Sequence, residues 1–263
     1  MTTPAPRRQL ALRSYLLLLI AGSMLPFLVV SGVLLLRLLG DNREGNQRIL
    51  MESARRQAAA LDGDLDATVR TLQALASSPG LADANLAGFD AALRNVVGTQ
   101  PGWLAARLLA PDGRVLIDAA RPGETTTARA VDPASVLATI DGGAPVVAAL
   151  RRGPSGRLAF GVRVPVREDG TIRYVLTAVV TPDIVAELVA RLTRGQHEWT
   201  RVIVDTDGTI VARTRSPERF VGEPATPSFM ARVNASAEGF YRDTSLEGAE
   251  VYVAFAHSSE VSR

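Results

Sequence analysis

Two segments of the sequence share one pattern, and this repetition limits the folds that the chain can adopt. "RLLAPDGRVLID" runs from Arg107 to Asp118, and "RVIVDTDGTIVAR" runs from Arg201 to Arg213. Each segment joins two apolar runs through a turn that contains Asp-Gly. Such a turn is typical of a β-hairpin, because glycine readily adopts the positive φ that tight turns require. The sequence therefore predicts a hairpin-containing unit that occurs twice, about 95 residues apart.

The first copy predicts an antiparallel sheet with helices packed on it, because consecutive hairpins place antiparallel strands side by side. The expected strands are Leu104–Ala110, Arg114–Asp118, Pro145–Leu150, Phe160–Val166 and Ile172–Val180, the last two joined by Glu168-Asp169-Gly170. The expected helices are Asp132–Thr139, with Asp132 as the N-cap and Pro133 in the first position, and Pro182–Leu192.

The second copy repeats this order but is shorter. Its expected elements are strands at Trp199–Asp205 and Thr209–Arg213, a helix at Pro227–Ala235, and a hairpin of Gly239–Ser245 and Glu250–Ala256. No segment equivalent to Ile172–Val180 follows them. We therefore expect a second sheet that lacks its last strand and has an unpaired edge, unless a continuation of the chain supplies that strand.

The segment Ser14–Leu36 carries no charged residue, and about 20 such residues cross a bilayer as a helix. Because Arg7, Arg8 and Arg13 precede it, the positive-inside rule predicts a cytoplasmic N-terminus and export of everything after Gly40. A cleaved signal peptide is the alternative, with an apolar core of about 7–15 residues and a small-residue cleavage site. The longer apolar segment favours an uncleaved membrane anchor.

Residues 41–76 predict a long amphipathic helix. Apolar side chains recur every three or four residues along it, at Leu61, Leu65, Val69, Leu72 and Leu75. This stripe fits two arrangements: side-by-side packing of two copies in a homodimer, or packing against the sheets of its own chain. Ser78-Pro79-Gly80 is expected to end the helix, and a second helix is expected at Leu86–Val97.

The composition excludes several kinds of chemistry. The chain has no cysteine, and all 29 basic residues are arginine, so thiolate sites, phosphate-loop lysines and Schiff-base lysines cannot occur. His197 and His257 lie far apart without a ligand pattern, the Asp-Gly turns lack the acidic spacing of a calcium loop, and G-x-S-x-G is absent. The net charge of +2 gives no indication of a surface that binds nucleic acid. We therefore expect no catalytic residue, metal, cofactor or nucleic-acid partner, which disfavours the alternative of an exported hydrolase.

Four segments carry a resemblance to a known family: "LLAPDGRVLIDAARPG", "RVPVREDGTIRYVLTAVVTPDIV", "WTRVIVDTDGTIVARTRSPERFVGEPA" and "EGFYRDTSLEGAEVYVAFAHS". With the apolar segment and long helix before them, they resemble the double Cache sensor domain of bacterial membrane receptors. The resemblance implies an α+β fold: a transmembrane helix and a long stalk helix, then two tandem PAS-like antiparallel-sheet lobes, the second lacking its last strand. The implied boundaries are 1–13 cytoplasmic N-terminus, 14–39 transmembrane helix, 41–100 stalk and packing helices, 101–195 membrane-distal lobe and 196–263 membrane-proximal lobe.

The resemblance also implies a function. It is closest to the sensor part of histidine kinases in the bacterial inner membrane, exposed to the periplasm, with diguanylate cyclases and chemoreceptors as alternative parents. Such modules bind a small molecule in the distal lobe and work as dimers through the stalk helix. The family's amino-acid signature, an aromatic residue with Arg-x-Trp-Tyr, is absent from this sequence. A membrane-anchored binding protein without signalling output is a further alternative.

A few polar or aromatic residues in the apolar strands of the first copy are candidates for ligand recognition: Trp103, Arg107, Arg163, Tyr174 and Thr177. Strand alternation would place Trp103, Ala105 and Arg107 on one face. Because a guanidinium suits carboxylate and phosphate groups, we expect Arg107 or Arg163 to bind an anionic ligand group, with Tyr174 as a wall of the pocket. The alternative is that both arginines lie on a solvated face of the sheet.

Overall fold

The computed structural model describes residues 12–78, 81, 86–121, 128–193 and 199–259. The chain divides into two compact units, Met1–Leu50 and Met51–Arg263. The helices are α1 (Leu12–Ala76), α2 (Leu86–Thr99), α3 (Pro133–Gly142), α4 (Asp183–Leu192), α5 (Pro217–Phe220) and α6 (Pro227–Val233). The strands are β1 (Trp103–Leu109), β2 (Val115–Asp118), β3 (Val146–Val147), β4 (Arg151–Arg152), β5 (Leu158–Glu168), β6 (Thr171–Val180), β7 (Val202–Val204), β8 (Ile210–Arg213), β9 (Glu238–Thr244) and β10 (Glu250–Ala256).

The first unit contains the beginning of α1. Four of its apolar side chains, those of Leu19, Met24, Phe27 and Val30, are exposed. Within the described ranges, no helix combines the length and apolar character needed to span a membrane. The membrane helix predicted for Ser14–Leu36 is therefore not confirmed, and the arginines at positions 7 and 8 lie outside the described residues.

The second unit is built on an antiparallel sheet in the order β2-β1-β6-β5-β3, with β4 also paired to β5. The hairpins predicted for the first copy are confirmed, with strand ends shifted by one or two residues. The turn between β5 and β6 has positive φ at both Asp169 (50°) and Gly170 (79°). A two-residue turn with positive φ at both positions matches the twist of the flanking strands, which explains the tight connection.

Helices α1, α2 and α4 cover one face of this sheet. Leu72, Phe89 and Leu93 are fully buried there against the sheet residues Leu108, Val164 and Leu176. The predicted α1 stripe joins this core: Leu65, Val69 and Leu72 are buried, and Leu61 and Leu75 are partly buried. This packing uses the stripe within its own chain, so the stripe no longer argues for a dimer.

Helix α3 covers the other face, where Val136 packs with Leu109, Val115 and Val175. Pro133 occupies the first turn as predicted, but the side chain of Asp132 makes no capping hydrogen bond. The N-cap prediction is therefore right about position and wrong about the bond. Instead, the main-chain carbonyl of Asp132 accepts a hydrogen bond from the Ser135 hydroxyl at 3.0 Å.

The second copy forms two hairpins, β7–β8 and β9–β10, each a separate two-stranded sheet. Among the described residues no strand pairs with both hairpins, so the single second sheet predicted from the sequence is not formed. Val211 and Ala212 of β8 join the core beneath the first sheet. The predicted boundary between residues 195 and 196 lies outside the described residues, as does His197, so this boundary between the lobes stays a prediction.

Candidate functional site

Three of the five predicted recognition residues form a row across the sheet. In the register of the ladder, Arg107 on β1 pairs with Thr177 on β6, and Thr177 pairs with Arg163 on β5. Directly paired residues of antiparallel strands point to the same face. The fold thus brings together side chains that lie up to 70 residues apart in sequence, on the face that α3 covers.

Arg163 is almost completely buried, with an exposed fraction of 5%. Its Nη2 donates to the main-chain carbonyl of Asp132 at 3.4 Å. Within the described part of the chain, its Nε and Nη1 have no hydrogen-bond partner, and the same holds for the buried Oγ1 of Thr177. A buried charge normally requires a paired acceptor, so the alternative of a solvated arginine is wrong for Arg163.

The guanidinium of Arg163 lies against the backbone of Gly161, two residues earlier on the same strand. A Cβ at position 161 would lie 2.5 Å from Nη1 of Arg163 and 3.1 Å from its Cζ. Real Cβ atoms essentially never approach another atom as closely as 2.5 Å, so any larger side chain would displace the guanidinium. Gly161 therefore provides the space in which the charged group rests.

Burial lowers the pKa of Arg163 from its ordinary value to about 10. The Asp132 charge acts in the opposite direction, and the Arg107 charge lowers the pKa further. At neutral pH the guanidinium still carries its proton, since 7 lies well below 10. The site therefore contains a desolvated positive charge, which an anion would stabilise.

Arg107 is in a different state, because it already has a counter-charge. Its Nε donates to Oδ2 of Asp118 at 3.0 Å, and both side chains are largely buried. The β1–β2 ladder pairs these two residues directly. Arg107 thus forms a closed ion pair, which leaves Arg163 as the stronger candidate for holding an anion.

The other two predicted residues lie on the opposite face of the sheet. A β-bulge between Trp103 and Ala105 shifts the register, so Trp103 packs into the core under α1 and α2 rather than beside Arg107. The predicted alternation of Trp103, Ala105 and Arg107 is therefore wrong at Trp103. Tyr174 pairs with the core residue Val166 and packs on the same core. It cannot line a pocket around Arg163.

Two residues of the site were not predicted from the sequence. Asp118 neutralises Arg107, and its position across the hairpin from Arg107 could have indicated this pair. Gly161 holds the Arg163 guanidinium, and a glycine two residues before an arginine in an apolar strand is the available signal. Gly161 shares a strand face with Arg163 because side chains alternate along a strand.

A second concave surface lies between α1 and α4, on the other side of the sheet. Its empty volume is about 310 Å³, partly open solvent, and its walls are mostly apolar, including Leu61, Leu65 and Leu188. Its carboxylate, Asp64, is paired with Arg191 at 3.3 Å. This cleft offers little to orient a polar ligand, and the face around Arg163 is the better candidate. Within the described ranges, no group of three or more metal-ligating side chains occurs.

Comparison with known proteins finds similarity at the level of structure. No family model matches the sequence, and no curated protein matches it either. The extracellular domain of rpHK1S-Z16, described as a histidine kinase, superimposes with a TM-score of 0.59 and 14% identity, covering 84% of this chain and 91% of that domain.

Two amino-acid-bound domains show comparable structural similarity. The ligand-binding domain of the Pseudomonas aeruginosa amino-acid chemoreceptor PctB in complex with L-Gln gives a TM-score of 0.63 with 18% identity, covering 82% of this chain and 86% of that one. The ligand-binding domain of Mlp24 with asparagine gives 0.56 and 21%, covering 82% and 88%. At identities this low, the structural similarity shows the fold alone. The chain has the double Cache type of fold found in the extracellular ligand-binding domains of histidine kinases and chemoreceptors.

Proposed function

We propose that this chain is the extracytoplasmic ligand-sensing module of a bacterial transmembrane signalling receptor. One observation carries the proposal: among the residues that the structure describes, the buried guanidinium of Arg163 has no counter-charge in direct contact, in a fold shared with sensor domains. Retaining an uncompensated buried charge is costly for stability. A binding role explains why the site keeps it.

The ligand group that fits Arg163 is an anion, a carboxylate or a phosphate. A guanidinium carries five N–H donors, and within the described ranges one of them donates to a protein acceptor, the Asp132 carbonyl. Thr177 adds a hydroxyl from the neighbouring strand, without a partner within the described ranges. Charge-assisted hydrogen bonds from these groups would hold an anion strongly in a desolvated site. Arg107, which is paired with Asp118, lies at the edge of this site.

Ligand entry requires movement of the protein. Arg163 and Thr177 are more than nine-tenths buried beneath α3 and the residue that precedes it. An anion therefore reaches them only when this covering segment shifts from β5 and β6. A ligand that binds the shifted arrangement more tightly than the closed one increases the population of the shifted arrangement. The size of this increase is set by the difference between the two affinities, and such a population shift is what a sensor requires.

Several members of this fold bind amino acids, as their names state, so amino acids belong among the candidate ligands. Because the family's amino-acid signature is absent from the sequence, simple carboxylates and phosphates are also candidate ligands. The parent receptor in this proposal is a sensor histidine kinase, with a chemoreceptor or diguanylate cyclase as the alternative. The uncharged segment Ser14–Leu36 is its proposed membrane anchor, and its ligand site faces the periplasm.

The test is a thermal-shift screen of the purified full chain against amino acids, simple carboxylates and phosphates. At 100 times its Kd, a ligand stabilises a protein by about 2.7 kcal/mol, which corresponds to a Tm rise of about 5–10 °C for a domain of this size. We expect this rise to vanish in Arg163→Met and to persist in Arg157→Met, an exposed arginine of the same sheet region. A ligand that stabilises the wild type and Arg163→Met equally would overturn the proposed site.

A further inference from the structure

A strand segment connects the candidate ligand site with the second copy. Val146 on β3 pairs with Arg163 itself. Two residues later, the N–H of Ala148 donates to the carbonyl of Gly161 at 2.7 Å, the residue against which the Arg163 guanidinium rests. The segment that begins at Val146 is therefore paired with Arg163 itself and hydrogen-bonded to Gly161, against which the guanidinium lies.

The same segment is bonded to the turn of the β7–β8 hairpin. The N–H of Leu150 donates to Oδ2 of Asp205 at 2.8 Å. The other oxygen, Oδ1, accepts from the N–H groups of Asp207 and Thr209 at 3.0 and 2.8 Å and so holds the Asp-Gly turn. One carboxylate thus ties the turn of the second copy to the strand beside Arg163.

Two further contacts support this connection. Arg151 donates to Asp207 at 2.6 Å across the same junction, although this pair is exposed and contributes little. Leu150 is buried in one core with Val211 and Ala212 of β8. The junction is therefore packed, and tight packing transmits a displacement rather than absorbing it.

We infer that Asp205 couples the charge state of the Arg163 site to the β7–β8 hairpin. The inference rests on the proposed function, because the coupling serves a sensor only if an anion neutralises Arg163. Neutralisation allows the guanidinium of Arg163 to shift its position against Gly161, and the pairing of β3 with β5 adjusts to this shift. The hydrogen bond between Leu150 and Asp205 then passes the displacement to the turn of the β7–β8 hairpin. The experiment replaces the unidentified anion by a substitution, Arg163→Met, which removes the charge.

Hydrogen exchange measured by mass spectrometry on peptides covering β7 and β8 tests the coupling in the full chain. We expect Arg163→Met to slow exchange there by about 2–30-fold, the range of 0.5–2 kcal/mol seen for coupled residues. In the Asp205→Asn background this effect should vanish, because the asparagine carbonyl still holds the turn while its NH₂ cannot accept from Leu150. Asp207→Asn, which weakens only the exposed pair, is the matched control and should leave the effect intact.

Either of two results in the Arg163 and Asp205 variants would overturn the inference. One is an unchanged β7–β8 exchange rate in Arg163→Met, and the other is an equal change with and without Asp205. Thr177→Val controls for a general gain in stability, because Thr177 lies on β6, whereas β3 pairs within the described residues with β5. A change in Thr177→Val as large as that in Arg163→Met would also count against the coupling. The exchange experiment uses no ligand, so its failure is distinct from a failure of the ligand screen.

Discussion

Arg163 and Thr177 lie directly opposite each other on β5 and β6, and each has a buried polar atom without a partner among the described residues. Two adjacent unsatisfied groups in a well-packed sheet are unusual, because nearly all buried polar atoms find a partner. Their adjacency fits the shared role in ligand binding that we propose for them. It also leads to the first prediction, in which removal of a charge stabilises the protein.

Arg163→Met should raise the free energy of unfolding by about 1–3 kcal/mol, because it removes a desolvated charge and keeps the volume of the side chain. Urea denaturation at pH 7 measures this change. Arg107→Met is the control: it leaves Asp118 without its partner, and we expect it to lower stability by about 1 kcal/mol. Equal losses in both variants would show that Arg163 is as well paired as Arg107.

Gly161→Ala should lower stability by about 1–2 kcal/mol, because the new Cβ forces the buried guanidinium of Arg163 to move. In the Arg163→Ala background the same change should be neutral or slightly stabilising, since the obstacle is gone and alanine restricts the unfolded chain. A double-mutant cycle from denaturation curves gives the interaction energy. Identical effects in the two backgrounds would rule out the contact between Gly161 and Arg163.

Because of Glu247, the free energy of unfolding should depend on pH in the acidic range. Its hydrogen bond from the buried Arg213, at 2.6 Å, lowers the pKa of Glu247 below 4.5. The contribution is therefore complete above pH 4.5 and is lost as the pH falls through the lower pKa of the folded state. Glu247→Gln should cost about 1–2 kcal/mol at pH 7 and less at pH 3. Glu250→Gln, whose carboxylate is exposed and 4.0 Å from Arg242, should show neither effect.

Leu72→Ala should lower stability by about 2–5 kcal/mol, because Leu72 is fully buried beneath the sheet and its loss leaves a cavity. Leu137→Ala on α3 is the matched control, since the side chain of Leu137 is 55% exposed, and it should change stability by at most about 0.5 kcal/mol. Denaturation at two protein concentrations completes the test. A loss at Leu72 that depends on concentration would favour the intermolecular use of the α1 stripe.

The sequence alone determined the local elements. Hairpins around Asp-Gly turns depend on neighbouring residues, and Gly113, Gly208 and Gly248 adopt φ values of 80°, 81° and 84°, as such turns require. The α1 stripe was equally visible, because helical periodicity selects its buried face before any partner is known. The sequence also identified Arg107, Arg163 and Thr177 as unusual residues in apolar strands.

Only the tertiary structure decided which of these residues act together. A single bulge after Trp103 reversed the face of that side chain, and a one-residue shift of this kind has no reliable mark in the sequence. The pairing of Arg107 with Asp118 and the burial of Arg163 depend on strand register and on the coverage by α3. Register and coverage arise from contacts between residues far apart in the chain, whereas sequence patterns report only near neighbours.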